Sequence, residues 1–314
     1  MIIYNKINFM KLLNHKLEMI RYEKSSFDGK RSSIFILTRF NLKMWTKNKF
    51  NHDVQTEEWL KERFELFEHY CFSSIINQSE KNFIWLCCFD EDTPKEYLQK
   101  IQIYRDKCPQ FVPLFFSANE AVNHVDLLLC VLKELKDDSS YLVTIRLDND
   151  DSLRYDFIEK VSLLRKSQKE DNVIYSFCSG LQYYREYGIA INILYPENHF
   201  LVLINTTYNK ETDKTILSFP HDNKDNFPYN FIVLKDYHEM WTEVIHSSNV
   251  ANDIKKNLCN GLILNNKILK DKFNMEIGKE VLSKGLVQIY LTFIFKLIPH
   301  YIFWYGHKIK NILK

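Results

Sequence analysis

Residues 141–152 read YLVTIRLDNDDS. The first seven form an apolar, β-branched run, the clearest strand signal in the chain, and the run ends on Asp148, Asn149, Asp150 and Asp151. A continuous apolar run suits a strand buried on both faces, as in a parallel sheet covered by helices. Working outward, residues 32–40 (SSIFILTRF), 83–89 (FIWLCCF) and 111–116 (FVPLFF) read as further strands of the same kind. Pro113 in the last of them argues for an edge position or a strand start. Between these strands, residues 57–71 place Trp59, Leu60, Phe64, Phe67 and Tyr70 at helical spacing. Thr93-Pro94 opens a charged helix to about Asp106, residues 119–135 read as a helix capped by Asn119, and residues 154–168 as another. Strand and helix alternate, so an α/β fold is expected, with a mostly parallel central sheet and helices on both faces.

After residue 170 the pattern changes. Residues 173–184, 190–195 and 200–205 read as strands spaced too tightly for crossover helices, which predicts antiparallel pairing. Residues 219–228 read as a polar loop, residues 231–234 as one more strand and residues 239–245 as a short amphipathic turn or helix. From residue 251 the chain reads as helical. This divides it into an N-terminal extension (1–30), one catalytic domain (31–250) and a C-terminal helical segment (251–314).

Composition narrows the function. With 46% hydrophobic residues in 314, the chain can bury a large core. The 42 Lys and Arg nearly balance 40 Asp and Glu, against a dedicated nucleic-acid binder, which carries a strongly basic face. The 7 Cys show no CxxC pair and read as buried, reduced thiols. The N-terminus lacks the form of a secretory signal, so the cytoplasm is the expected compartment.

Residues 286–305 (LVQIYLTFIFKLIPHYIFWY) are apolar except for Gln288, Thr292, Lys296 and His300, which recur every four positions. The segment has the length to span a bilayer, but a central Lys costs roughly 2.5–3.5 kcal/mol there. Three readings fit: a helix in the membrane interface, with the basic tail HKIKNILK at anionic headgroups, a buried terminal helix or subunit contact, or a true span.

The chemistry belongs at the acids. Ligands in open α/β sheets bind at the carboxyl ends of the strands. Carboxylates one residue apart on an extended turn, Asp148 and Asp150, point the same way and can hold a hard divalent cation, Mn²⁺ or Mg²⁺. Arg146 and Arg154 flank the cluster and offset part of its charge. A plainer alternative is that the acids cap the following helix. An EF-hand fits Asp148, Asp150, Ser152 and Glu159 by spacing, but Leu153 stands where that loop needs Gly, and a strand precedes the loop where a helix should.

The string RLDNDDSL resembles the Asp-x-Asp site of family-A glycosyltransferases. With FILTRFN, ERFELFEHYCFSSIINQSEKNFIWLCCFDEDTP and EMWTEVIHSSNVAN, it is similar to a family of bacterial rhamnosyltransferases over roughly residues 33–255. The resemblance implies a glycosyltransferase A-type domain with a nucleotide-sugar donor whose diphosphate is bridged by a divalent cation. It implies that Asp148 and Asp150 bind the metal or the donor ribose, with Asp151 in support. Asp90 would face the nucleoside, Arg39 and Arg146 the donor's base or diphosphate, and His246 would complete the metal site. An inverting enzyme also needs a carboxylate at the acceptor hydroxyl. Glu239 and Asp236 lie in the right part of the chain, and Glu239 is preferred. The implied acceptor is a surface polysaccharide or a lipid-linked glycan, with the enzyme cytoplasmic and peripheral at the inner face of the cell membrane. The competing classes are nucleotidyl transfer, which lacks a Gly-rich phosphate loop here, and a non-catalytic binding or scaffold protein.

Overall fold

The structure, a computed structural model, describes residues 31–44, 56–117, 124–206, 214–219, 227–235, 237–247, 249, 259–299 and 302. In chain order the first part runs β1 (Ile34–Arg39), α1 (Glu57–Leu66), a π-helical stretch (Phe67–Phe72), α2 (Ser73–Ile76), β2 (Ile84–Asp90), α3 (Lys95–Lys107), β3 (Phe111–Phe116), α4 (His124–Leu135) and β4 (Leu142–Arg146). Next come β5 (Ser152–Leu153), α5 (Phe157–Ser167), β6 (Val173–Phe177), β7 (Ser179–Tyr184), β8 (Ile189–Leu194) and β9 (Val202–Asn205). The last part holds β10 (Asn230–Leu234), β11 (Trp241–Ile245), β12 (Cys259–Leu262), α6 (Lys267–Phe273), α7 (Lys279–Leu282), α8 (Leu286–Thr292) and a second π-helical stretch (Phe293–Leu297).

Seven strands form the main sheet in the order β10-β6-β9-β4-β1-β2-β3. Only β9 runs against its neighbours. The strand that leads to the acids, β4, is the middle one, and β3 with Pro113 is an edge. The apolar runs are buried on both faces, as their sequence requires. Ile34 and Ile36 of β1, with Trp85 and Cys87 of β2, pack against Phe64 of α1, Tyr97 and Ile101 of α3 and Phe157 of α5. The alternate residues Phe35, Leu37, Leu86 and Cys88 pack against Leu128 and Leu132 of α4. The side-chain period of 2 therefore assigns each helix to its face. The cysteines Cys71, Cys87, Cys88, Cys108, Cys130 and Cys178 are buried. Burial pushes the Cys88 thiol up to about 12, which removes it as a nucleophile at neutral pH.

A second sheet, β12-β8-β7-β11-β5, corrects three sequence expectations. Residues 239–245 contain no helix: Trp241–Ile245 is strand β11, with all five residues buried. Its Trp, Thr, Val and Ile are β-formers, and burial on both sides hides the alternation that would announce a half-exposed strand. The run 173–184 is two strands, parted at Cys178, with β6 in the main sheet and β7 in the second. The chain after 251 is not all helix either, since Cys259–Leu262 pairs antiparallel with β8. Among the described residues no helix is long and apolar enough to cross a membrane.

Candidate metal and donor site

The acids lie on a joint between the two sheets. Leu147 leaves β4 with its N–H donated to Leu37 O (3.2 Å), and after the four residues Asp148 to Asp151 the chain enters β5 at Ser152 in the second sheet. Asn149 fixes the loop at its middle. Its Nδ2 donates to Phe40 O at 2.7 Å, and its Oδ1 accepts from Arg63 Nη1 at 3.0 Å. Ser152 Oγ donates to Tyr70 O inside the first π-helical stretch (2.9 Å), which ties the far end of the loop to the same helix.

Asp150 is buried and its charge is matched. Its Oδ2 accepts from Arg63 Nη1 at 2.6 Å and lies 3.0 Å from His246 Nε2 and 3.3 Å from Asn249 Nδ2. Burial alone would raise its pKa, but the Arg63 guanidinium and His246 outweigh burial and hold the carboxyl below its ordinary value. Arg63 also lies 5.0 Å over the Trp59 ring.

Asp151 is in the opposite state. It is fully buried, with Oδ1 accepting from Val244 N–H at 2.9 Å and Oδ2 placed 2.7 Å from His199 Nε2. Burial drives its pKa well above the usual carboxylate range, and the nearby Asp150, Asp148 and Glu243 carboxylates push it further the same way. Glu243 is fully buried on β11, with Oε2 accepting from Gln182 Nε2 at 2.6 Å. Its Oε1 has no hydrogen-bond partner among the described residues.

Asp148 is the most open of the three loop acids, with 31% of its side chain exposed. Arg146 Nε lies 3.4 Å from its Oδ1, and His199 Nε2 lies 4.0 Å from its Oδ2. Asp148, Asp151 and His199 each offer one ligand atom, and the three atoms lie within 4.8 Å of one another. Two carboxylates and an imidazole are a donor set for a divalent cation. Asp151, buried among like charges, is the group such a cation would relieve, so the residues present fit a metal. Arg39 completes the rim at the end of β1. Burial, followed by the neighbouring Arg146 guanidinium, lowers its pKa, while Asp148 acts the other way.

Asp90 ends β2 on the same sheet edge. Its Oδ1 pairs with Lys43 Nζ at 3.1 Å and accepts from Asp92 N–H at 2.9 Å, while its buried Oδ2 has no partner among the described residues. Asn41 Oδ1 accepts from the Asp90 N–H (3.0 Å). The carboxylate borders a cleft of about 450 Å³ shared with Asn41, Lys43, Thr93 and Tyr97.

The sequence model of a family described as "Putative rhamnosyl transferase" matches residues 33–257. The chain belongs to this glycosyltransferase family. No curated protein matches it. Among solved structures, S. aureus TarS 1-349 in complex with UDP is similar over 68% of this chain and 60% of that one, at 11% identity and a TM-score of 0.37. TarS 1-349 in complex with UDP-GlcNAc is similar over 69% and 60%, at 10% identity and a TM-score of 0.35. The chain thus spans about 60% of the length of those structures, and likenesses this distant carry no argument about chemistry.

Set against the rhamnosyl transferase resemblance, Arg39, Arg146, Asp148 and Asp151 come together around the loop, and Asp90 stands on the same edge of the sheet. Sequence reading assigned the metal to Asp148, Asp150 and His246. In the structure Asp150 and His246 meet, but against the Arg63 guanidinium, and the imidazole beside Asp148 and Asp151 is that of His199. Glu239 lies just ahead of β11, half-buried, with Oε1 accepting from Asn192 Nδ2 at 2.7 Å. Asp236 lies outside the described residues. Arg63, His199, Asn249 and Glu243 were not singled out from sequence. His199 carries no local mark in the sequence: the register of β9 on β4, which pairs Ile145 with Val202, sets position 199 opposite position 148 three residues further on. Arg63 announced itself as a charge inside the apolar stripe Leu60, Phe64, Phe67.

Proposed function

We propose that this chain transfers a sugar, rhamnose on the family's description, from a nucleoside-diphosphate sugar to a glycan or lipid-linked acceptor, with inversion and with a divalent cation. The enzyme would work peripherally at the inner face of the cell membrane. The observation that carries the reading is the cluster of Asp148, Asp151 and His199 at the carboxyl end of the central strand. A cation held there supplies Lewis-acid stabilisation of the charge that develops on the departing diphosphate. The chain's own residues do the rest. Arg39 and Arg146 offer guanidinium groups to the phosphates from beside Asp148. The unpaired Asp90 Oδ2 accepts an N–H from the donor's base in the cleft with Asn41 and Tyr97. Arg63, His246 and Asn249 hold Asp150 ionised, which keeps the loop's shape and limits the charge left for the cation to balance. Glu239 is the candidate general base for the acceptor hydroxyl, with one oxygen steadied by Asn192.

Calorimetric titration with uridine, thymidine and guanosine diphosphates, with and without Mn²⁺, tests this. One nucleotide should bind in a Mn²⁺-dependent way, and Asp148→Ala should lose at least about tenfold in affinity by removing a cation ligand, while its circular dichroism stays that of the wild type. If the folded wild type binds none of them with Mn²⁺ present, the reading fails and the non-catalytic alternative takes its place.

A further inference from the structure

Helix α8 and the π-helical stretch after it dock on the domain by one narrow edge. Ile289 and Leu297 are fully buried and Phe293 is partly so. The rest of the helix is not covered. Val287 is 73% exposed and Phe295 67%, and Tyr290, Leu291, Ile294 and Ile298 are exposed with them. These positions recur every three to four residues, so they form one continuous apolar stripe facing outward. A contiguous apolar patch of this kind on a soluble surface marks a place where something binds.

Charge identifies the occupant. From residue 281 to 314 the sequence has no Asp or Glu, and it has five Lys, at 284, 296, 308, 310 and 314, and no Arg. The rest of the chain therefore carries 42 − 5 = 37 cationic residues against 40 acidic ones, a net of −3, while this segment carries +5. The chain's whole basic surplus travels with its exposed apolar helix. The sequence beyond the helix adds Tyr301, Trp304 and Tyr305, residue types that settle at the boundary between lipid and water. An apolar stripe would also suit a protein groove, but the segregated positive charge matches a surface that is negative over a wide area.

We infer that residues 286–299 lie in the plane of a membrane interface, with the Val287–Phe295 stripe in the acyl boundary and the segment's lysines drawn to anionic phospholipid headgroups. The helix lies on the bilayer and does not cross it, consistent with the absence of any spanning helix among the described residues. This deepens the peripheral placement in the proposed function, and rests on that reading only for where the acceptor is found.

The test is co-sedimentation of the full chain with vesicles of phosphatidylcholine alone and of phosphatidylcholine mixed with phosphatidylglycerol. Nucleotide binding is measured on the same samples. The wild type should pellet with the mixed vesicles, little with the neutral ones, and less as salt rises. Val287→Glu combined with Phe295→Glu changes two exposed side chains, so the fold should be kept, and should cut vesicle binding by at least about tenfold. Lys308→Ala with Lys310→Ala should cut it by about fivefold per lysine and flatten the salt dependence. Nucleotide affinity should be unchanged in both variants. The inference is overturned if the wild type ignores both vesicles while still binding nucleotide, or if the Glu double variant pellets as well as the wild type. It is also overturned if the wild type runs as a dimer that the Glu variant dissolves without any lipid binding, which would give the stripe to a second copy of the chain.

Discussion

Adjacent residues Asp150 and Asp151 are opposites, and their amide variants should show it. Asp150 is one half of a buried ion pair with Arg63. Asp150→Asn leaves that guanidinium buried without its counter-charge, and should cost about 3–5 kcal/mol in the denaturation midpoint at neutral pH. Because its folded pKa is depressed, the stability Asp150 confers is present above its unfolded pKa and is lost as the pH falls through the folded value. Asp151 has a raised folded pKa, so ionising it works against the fold. That cost is absent below its unfolded pKa and grows as the pH rises towards the folded one. In EDTA, Asp151→Asn should therefore match or exceed the wild type in melting temperature, with a margin that widens as the pH rises above about 4, the unfolded value. The amide oxygen can still accept from Val244 N–H. A melting curve in which Asp151→Asn loses stability equally at every pH would mean that the carboxylate is a structural necessity and not a waiting ligand. The acids themselves were legible in the sequence, because they follow a strand that could be nothing else. Their partners were not, since Arg63 is 87 residues from Asp150 and His199 is 48 from Asp151, and only the strand register brings the second pair together.

At the scale of elements, the main sheet was readable and the second only in part: β7 and β8 were legible as strands in antiparallel pairing, while β5, β11 and β12 were not. Strands β1 to β4 are apolar runs separated by helices, whereas β5 is two residues long and β11 hides a glutamate in its middle. The second sheet holds the floor of the site through a tight piece of packing. Trp241 of β11 is fully buried, donates from Nε1 to Phe177 O at 2.8 Å and stacks on Phe200 with ring centroids 4.7 Å apart. Its ring lies over Gly180 of β7 so closely that a Cβ added there would come within 2.2 Å of it. Gly180→Ala should therefore destabilise the protein by at least about 1–3 kcal/mol, because the ring has nowhere to move. It should also weaken Mn²⁺-dependent nucleotide binding, since β11 carries Glu243 and Val244 two and three residues beyond the displaced ring. Urea denaturation and calorimetry measure the two effects. A variant as stable as the wild type would show that the packing at Gly180 is looser than the structure describes.

In the whole molecule, the loop that carries the acids is one of the places where the chain passes between the two sheets. The loop leaves the middle strand of one sheet and becomes an edge strand of the other. Asp151 accepts a hydrogen bond from β11, Asp150 meets His246 at the end of that strand, and His199 leads back into β9 of the main sheet. A cation on Asp148, Asp151 and His199 would bind groups from both sides of this joint, so its binding energy becomes resistance to local opening of one sheet from the other. A Mn²⁺ and nucleotide mixture at about a hundred times its dissociation constant should add about 2.7 kcal/mol of stability, which for a chain of this size is several degrees in melting temperature. The gain should be localised. Amide exchange should slow at 148–153, 199–205 and 241–246, and should not change at 286–297, where the helix docks far along the chain from the loop. Protection spread evenly over the chain would mean that the ligand acts on global unfolding alone. Protection confined to 90–97 would mean that the nucleotide binds the Asp90 cleft without engaging the metal cluster, and the cation would then have no part in joining the sheets.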